Sequence, residues 1–320
     1  MNKAITPFNT LIEDFLAFKR CENYKYKSEE EILWSFNNFL DKCSLKKPAL
    51  SQVLINKWCS QRFDESRKSL SNRVATIRQF MIYLTNRGYD VYVPDTIKNA
   101  FNKAFIPYIF SKDEMEKIFL VVDNLQPGRQ SNSDIVYPVL FRVLYGCGLR
   151  ITEALELKIE DVDIEKGVLG IKHAKFDKKR IVPMSESLTM ICREYYEKYL
   201  VTVDEADFFF HNKYGGRRSR NSVSEMFRKI LWKSGIPYRG KGKGPRLHDL
   251  RHSFCCHSIK HMSDQGIDLY CALPVLSTYV GHSSIHATER YIRLSKEIYP
   301  NIEAKTSFLT GKIYPEVYDE

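Results

Sequence analysis

The sequence has no apolar run near the ~20 residues that a membrane-crossing helix needs. The N-terminus is polar within its first ten residues, which argues against a secretory leader. There is no G-x-x-x-x-G-K-[S/T] loop, so the usual cradle for a nucleoside triphosphate is missing. There is no H-E-x-x-H pair either, and the eight cysteines (21, 43, 59, 147, 192, 255, 256, 271) contain no C-x-x-C. Zinc-site and disulfide frameworks are therefore not expected, and the thiols read as reduced and mostly buried. His248/His252 and His257/His261 could share helix faces as metal ligands, but they lack a companion carboxylate motif. These absences point to a cytoplasmic protein that works without metal or ATP.

What the sequence does have is positive charge. The formal net charge is +10 over 320 residues, with a pI near 9.0, which suggests a polyanionic partner. Residues 1–104 hold 17 Lys+Arg against 11 Asp+Glu, and residues 210–251 hold 12 against 2. The second segment alone therefore matches the whole chain's excess. That concentration tilts the reading toward contact with phosphates.

Length and pattern predict two domains. Residues 1–104 read as all-helical, with apolar helical spacing over 8–18, 32–40 and 71–87. In the last of these, Val74, Ile77, Phe80, Met81 and Leu84 form a stripe, Gly88 follows as a C-cap, and Arg67, Lys68, Arg73 and Arg78 are expected on the outer face. A boundary is expected near residue 105. Beyond it, Ser111 and Glu114 have the spacing of a capping box. An apolar helix over 135–145 ends at Gly146-Cys147-Gly148-Leu149-Arg150. The two glycines permit a tight turn that presents Arg150 at the next helix start, where backbone N–H groups also favour an anion. Residues 168–173 and 180–184 alternate as two short strands around a basic tip, and helices are expected near 187–200 and 221–233. Arg217, Arg218, Lys241 and Lys243 lie in glycine-rich basic loops suited to phosphate contact. The fold class expected is mainly α with a small β-hairpin.

The chemistry concentrates in Arg246–Arg293. His248 and Arg251 stand three apart, one turn of a helix. Val280-Gly281-His282-Ser283-Ser284 follows about thirty residues later, and Tyr291 closes the stretch. A proton-transfer imidazole, oxyanion-binding guanidiniums and a phenol together suit nucleophilic attack on a phosphodiester.

In this order, the Gly-Cys-Gly-Leu-Arg150 turn, the hairpin closing in Arg-Ile-Val-Pro183, His248-x-x-Arg251, Gly-His282-Ser-Ser and Tyr291 resemble the tyrosine recombinase (phage-type integrase) family, in its Xer-like or transposon-integrase branch. The resemblance spans about 105–295 and implies a catalytic domain over 105–320, preceded by a helical core-binding domain that grips DNA. It further implies that Arg150 and Arg251 clamp the scissile phosphate and that Tyr291 attacks phosphorus to give a 3′-phosphotyrosyl bond. His248 would move the phenolic proton, Lys175 would protonate the 5′-oxygen leaving group, His282 would bond the phosphate, and Glu153 would support the site. The hairpin reads His-Ala-Lys-Phe-Asp-Lys-Lys-Arg where the family often has Gly-Lys-Gly-x-x-x-Arg, so Lys172, Lys178 and Lys179 compete with Lys175. His252 and His286 are set aside in favour of His248 and His282 because of the motif context.

The function expected is site-specific DNA recombination in integration, excision or transposition, by a homotetramer on paired sites in double-stranded DNA, with or without partner recombinases. The alternatives are a non-catalytic accessory subunit of the same fold and a type IB-like topoisomerase. Apolar Ile302, Phe308, Leu309 and Ile313 beyond the catalytic motifs suggest a tail (about 296–320) that docks on a neighbouring subunit.

Overall fold

The computed structural model describes residues 8–22, 24–43, 50–97, 106–128, 131–172, 179–237 and 244–282, together with Thr288 and Tyr291. The chain divides into two units, Met1–Phe105 and Ile106–Glu320, one residue from the boundary expected from the linker.

In the first unit, helices α1 (Asn9–Cys21), α2 (Lys27–Lys42), α3 (Gln52–Cys59) and α4 (Arg67–Thr85) surround a core of Phe8, Phe15, Leu33, Phe36, Ile55, Ile77 and Phe80. The apolar stripe of α4 is fully inside. Burying five such side chains, at roughly 1.5–3 kcal/mol each, outweighs the modest propensity of a helix rich in Ser and β-branched residues. The helix starts four residues earlier than the apolar pattern implies, because the Ser66 hydroxyl caps it by accepting from the Ser69 N–H at 3.1 Å. Helix α3, only eight residues long, is likewise set by a hydroxyl cap, Ser51, rather than by a long periodic run.

The basic outer face of α4 needs one correction. Arg67 and Lys68 are exposed, but Arg73 is buried, 4% exposed. Its guanidinium donates to both Glu65 carboxylate oxygens at 2.7 Å, to Ser60 O at 2.9 Å and to Trp58 O. A residue at this place on the helix faces the α3–α4 connection, so its charge serves the fold and is not available to DNA. Arg78 is half-buried and donates to Pro94 O at 2.5 Å.

The second unit packs α5 (Lys112–Asp123), α6 (Ser133–Gly146), α7 (Ile151–Glu156), α8 (Glu186–Tyr199) and α9 (Arg220–Lys233) around one core. The Ser111/Glu114 capping box at the start of α5 is formed. The hairpin has acquired a third strand: β1 (Val162–Asp163), β2 (Val168–Ile171) and β3 (Arg180–Pro183) form an antiparallel sheet in that order, with Leu169 opposite Val182. Two residues are too few to show alternation, which is why β1 left no sequence signal. Helices α10 (Asp249–Asp264) and α11 (Leu269–Val280) close the unit over a separate cluster of Cys255, Cys256, Ile259, Leu273, Leu276, Val280 and Tyr291. The architecture is mainly α with one small sheet. No described helix is long and apolar enough to cross a membrane.

In this unit too a basic residue turns inward. Arg218 is 6% exposed and donates to His211 O at 3.1 Å and to Asn132 Oδ1, with its guanidinium over the Tyr137 ring. It pins the loop before α9 to the start of α6. Arg217 is exposed and paired with Glu156 at 2.7 Å. Lys241 and Lys243 lie outside the described residues.

Candidate active site

The turn after α6 builds the site. Gly148 has φ +57, and a Cβ there would lie 2.4 Å from Phe254 Cδ1, so only glycine fits. The chain then extends through Arg150, which is the N-cap residue of α7. Its side chain cannot accept the orphan N–H groups of the helix start, and Glu153 answers from the other direction. The Glu153 carboxylate takes the Arg150 backbone N–H at 2.9 Å and Arg150 Nη1 at 2.7 Å.

Glu153 is a hub. It is 2% exposed, and it also accepts from Arg180 Nη2 at 2.9 Å and Nη1 at 3.2 Å, with Arg251 Nη1 at 4.0 Å. Burial alone would raise its pKa, but the hydrogen bonds from Arg180 and Arg150 outweigh that and hold it below the ordinary value. Arg180 continues to Tyr279 O through Nε at 2.9 Å, and Arg150 Nη2 donates to Gly281 O at 2.9 Å. One carboxylate thus ties α7, β3 and the end of α11 together. Three guanidiniums share its single charge, leaving a positive excess that attracts an anion.

Arg251 is the third residue of α10 and is 1% exposed. It donates to Gly148 O at 2.7 Å and Val280 O at 2.6 Å. Burial and then the charge of Arg150 lower its pKa to about 10, so it stays protonated at neutral pH. His248 is the N-cap residue of α10 rather than a member of its first turn, and it keeps an exposed edge. Desolvation, followed by the charges of Arg251, Arg150, Arg246 and Arg220, lowers its pKa to about 4. Desolvation first, and then neighbouring positive charge, takes His282 to about 3. Both imidazoles are neutral at pH 7 and can accept a proton.

Tyr291 is 3% exposed in the α10–α11 cluster. Its ring stacks on His282 at 5.9 Å between centroids and 12° between planes. His282 Nδ1 in turn lies 2.9 Å from Thr288 Oγ1. Burial and the neighbouring Cys255 push the phenol's pKa well above its ordinary value. Tyr291 Oη lies 2.7 Å from His252 Nδ1 and also makes a hydrogen bond with the Cys255 thiol. His252 packs edge-on to His248, with centroids 4.7 Å apart.

The structure therefore brings Arg150, Glu153, Arg251, His248, His282 and Tyr291 to one place. Lys175 lies outside the described residues, as do Lys178, His286 and the C-terminal tail. Of its described competitors, Lys172 is engaged by Asp161 at 2.6 Å and Glu160 at 2.7 Å, which raise its pKa. Lys179 is exposed. Two residues of the site are not assigned by the sequence motifs. Arg180 serves there only to mark the strand, although a charged residue at the inward end of β3 is a visible signal. His252 gives way there to His248.

Comparisons with known proteins give this mainly helical domain and its arginine–histidine–tyrosine cluster a family. Residues 109–297 match the phage integrase family. A putative integrase/recombinase of Sinorhizobium fredii is 26% identical over 301 residues, covering 92% of this chain and 95% of the relative. The tyrosine recombinase XerD of Listeria innocua is 26% identical over 90% of this chain and 95% of its own length. Among solved structures, the Tn1549 transposon integrase in complex with transposon right end DNA superposes with a TM-score of 0.65 at 16% identity, covering 88% of this chain and 93% of the other. The XerH site-specific recombinase, bound to its palindromic difH substrate in a post-cleavage complex, gives 0.62 at 20% identity, covering 88% and 78%. The chain belongs to the phage integrase family, the tyrosine recombinases.

Proposed function

We propose that this protein is a site-specific DNA recombinase that cuts and rejoins strands by transesterification through a 3′-phosphotyrosyl intermediate, in integration, excision or transposition of a DNA element. The observation that carries the reading is the sharing of one buried carboxylate, Glu153, by Arg150, Arg180 and Arg251 beside a buried tyrosine. A phosphodiester gains negative charge in its pentavalent transition state, and fixed guanidiniums stabilise that state more than the ground state. Each such donor is typically worth ~3–4 kcal/mol.

On this reading Tyr291 Oη attacks phosphorus while Arg150 and Arg251 hold the non-bridging oxygens. His282 bonds the phosphate, His248 assists proton transfer, and Lys175 protonates the departing 5′-oxygen. The bond energy is kept in the phosphotyrosyl link, so rejoining needs no ATP. Guanidiniums supply the positive charge that a metal would otherwise bring, and the neutral imidazoles are left to move protons and make hydrogen bonds. Exposed Arg67, Lys68 and Arg217, with Lys241 and Lys243, are assigned to the DNA backbone, and a homotetramer on paired sites is the assembly in which strands exchange.

The test is covalent trapping. Wild type and Tyr291→Phe are incubated in EDTA with a nicked suicide duplex from the terminal repeat of the surrounding element. A denaturation-resistant protein–DNA adduct in the wild type alone, with binding kept in both, is expected. An adduct in both places the nucleophile elsewhere. Tight binding with no adduct in either turns the reading to an accessory subunit, and supercoil relaxation without recombinant product turns it to a topoisomerase.

A further inference from the structure

We propose that His252 is a catalytic residue of this site, the group that takes the phenolic proton of Tyr291. The proposal rests on the assignment of Tyr291 as nucleophile and adds a base to it. Among the described residues, the imidazole at hydrogen-bond distance from Tyr291 Oη is that of His252, with Nδ1 at 2.7 Å. Neither of the two histidines singled out by the motifs is shown bonding the phenol. His282 lies nearly parallel to the ring, with centroids 5.9 Å apart, and spends its Nδ1 on Thr288. His248 meets the edge of His252 instead.

The placement follows from the helix. His252 comes directly after Arg251 on α10 and is turned about 100° from it. Arg251 therefore reaches the Gly148 and Val280 carbonyls while His252 faces the cluster that holds Tyr291. Both side chains are buried, His252 at 8% exposed and Arg251 at 1%. A base already aligned on the phenol needs no rearrangement between the two residues for the transfer.

The step balances without a further reactant. As the Tyr291 Oη–phosphorus bond forms and the phosphorus–5′-oxygen bond breaks, the phenolic proton passes to His252 Nδ1. The leaving oxygen receives a different proton from the general acid. In the reverse step His252 returns its proton to the released phenol.

Cleavage rates of His252→Asn and His252→Leu decide the matter, measured from about pH 5 to pH 9 on two suicide duplexes. One is an ordinary phosphodiester. The other carries a 5′-bridging phosphorothiolate at the scissile position, whose sulfur departs without a proton. Asn keeps an acceptor near the Nδ1 position but cannot titrate, so it separates basicity from positioning, and it stands in if the Leu variant fails to fold. Expected for His252→Asn is a rate loss of about 10²–10⁴-fold. That loss should persist on the phosphorothiolate, and the acid limb of the wild-type pH profile should vanish. A near-wild-type rate for His252→Asn would overturn the proposal, leaving His252 a positioning residue. Rescue of the variant by the phosphorothiolate would also overturn it, because the lost function would then lie at the leaving group. Failure of the Tyr291 assignment is read separately, as an adduct that survives in Tyr291→Phe.

Discussion

Glu153 Oε2 and Arg180 Nη2 lie 2.9 Å apart, with 1% and 9% of their side chains exposed, and this contact fastens strand β3 to the turn that presents Arg150. Because Arg180 also holds Tyr279 O, the pair joins the sheet to the end of α11. Tyr279 Oη adds a second tie between β3 and α11, donating to Pro183 O at 2.8 Å.

Removing the carboxylate is expected to be costly. Glu153→Ala leaves buried guanidiniums without their counter-charge, a loss of about 3–5 kcal/mol for a broken buried pair. Glu153→Gln keeps the shape and some acceptors and should cost less. The pH dependence has a definite sign. The folded pKa of Glu153 lies below its ordinary 4.5, so its contribution is present above about that pH and is lost as pH falls through the folded value. Urea unfolding between about pH 3 and pH 6 should show this acid limb in wild type. The limb should be weaker in Glu153→Gln, and an unchanged limb would count against the hub.

The histidines predict a proton linkage. With folded pKa values of about 4 and about 3 against an ordinary 6.5, His248 and His282 are neutral in the free protein down to mildly acid pH. Their contribution to stability is complete above pH 6.5 and declines as pH falls below it, because the unfolded chain then binds more protons. Burial is the larger cause of that depression, and a phosphate seated between Arg150 and Arg251 would cancel much of the neighbouring positive charge that adds to it. DNA binding should therefore take up protons near about pH 5.5 and few near about pH 7.5. Calorimetric titration in buffers of different ionisation heat measures the uptake directly. Equal uptake at both pH values would show that no phosphate reaches the two rings.

The N-terminal helices offer a contrast between two arginines on one element. Arg73→Ala breaks the buried pair with Glu65 and strands two backbone carbonyls. Its expected cost is about 3–5 kcal/mol of stability. Arg67→Ala, at the exposed start of the same helix, should leave the melting temperature alone. Instead it should weaken DNA binding and reduce the salt slope of log K by about 1. Loss of binding from Arg73→Ala at full stability would reverse the assignment.

These contrasts mark what can be read from the chain. The stripe on α4, the Ser111 cap and the strand pair around the basic tip are local patterns, set by period and by neighbours in sequence, and the fold follows them closely. Arg150, His248, Arg251, His282 and Tyr291 are visible because motif spacing singles them out. Arg73 and Arg218 are misplaced by pattern because a basic residue in a polar run looks the same whether it faces solvent or an inward carbonyl. His252 escapes for a similar reason. Which of two adjacent helix residues meets Tyr291 depends on how α10 is rotated against α11, and that is set by packing of Cys255, Ile259 and Leu276. No spacing rule in a single sequence contains that rotation.

Gly148 gives a last test of the turn itself. Its φ of +57 alone costs a substituted residue roughly 1–2 kcal/mol. A methyl group would also collide with the Phe254 ring at 2.4 Å, which adds about 1–3 kcal/mol of overpacking. Gly235, in the same unit with φ +71 and nothing within 4 Å of where a Cβ would stand, carries only the backbone part. Gly148→Ala should therefore unfold at clearly lower urea than Gly235→Ala. Because the Gly148 carbonyl also receives Arg251, the first variant should lose covalent DNA cleavage even under conditions where it remains folded, while the second should keep it. Equal stability and equal cleavage in the two would mean that α10 can withdraw from the turn without disturbing the clamp.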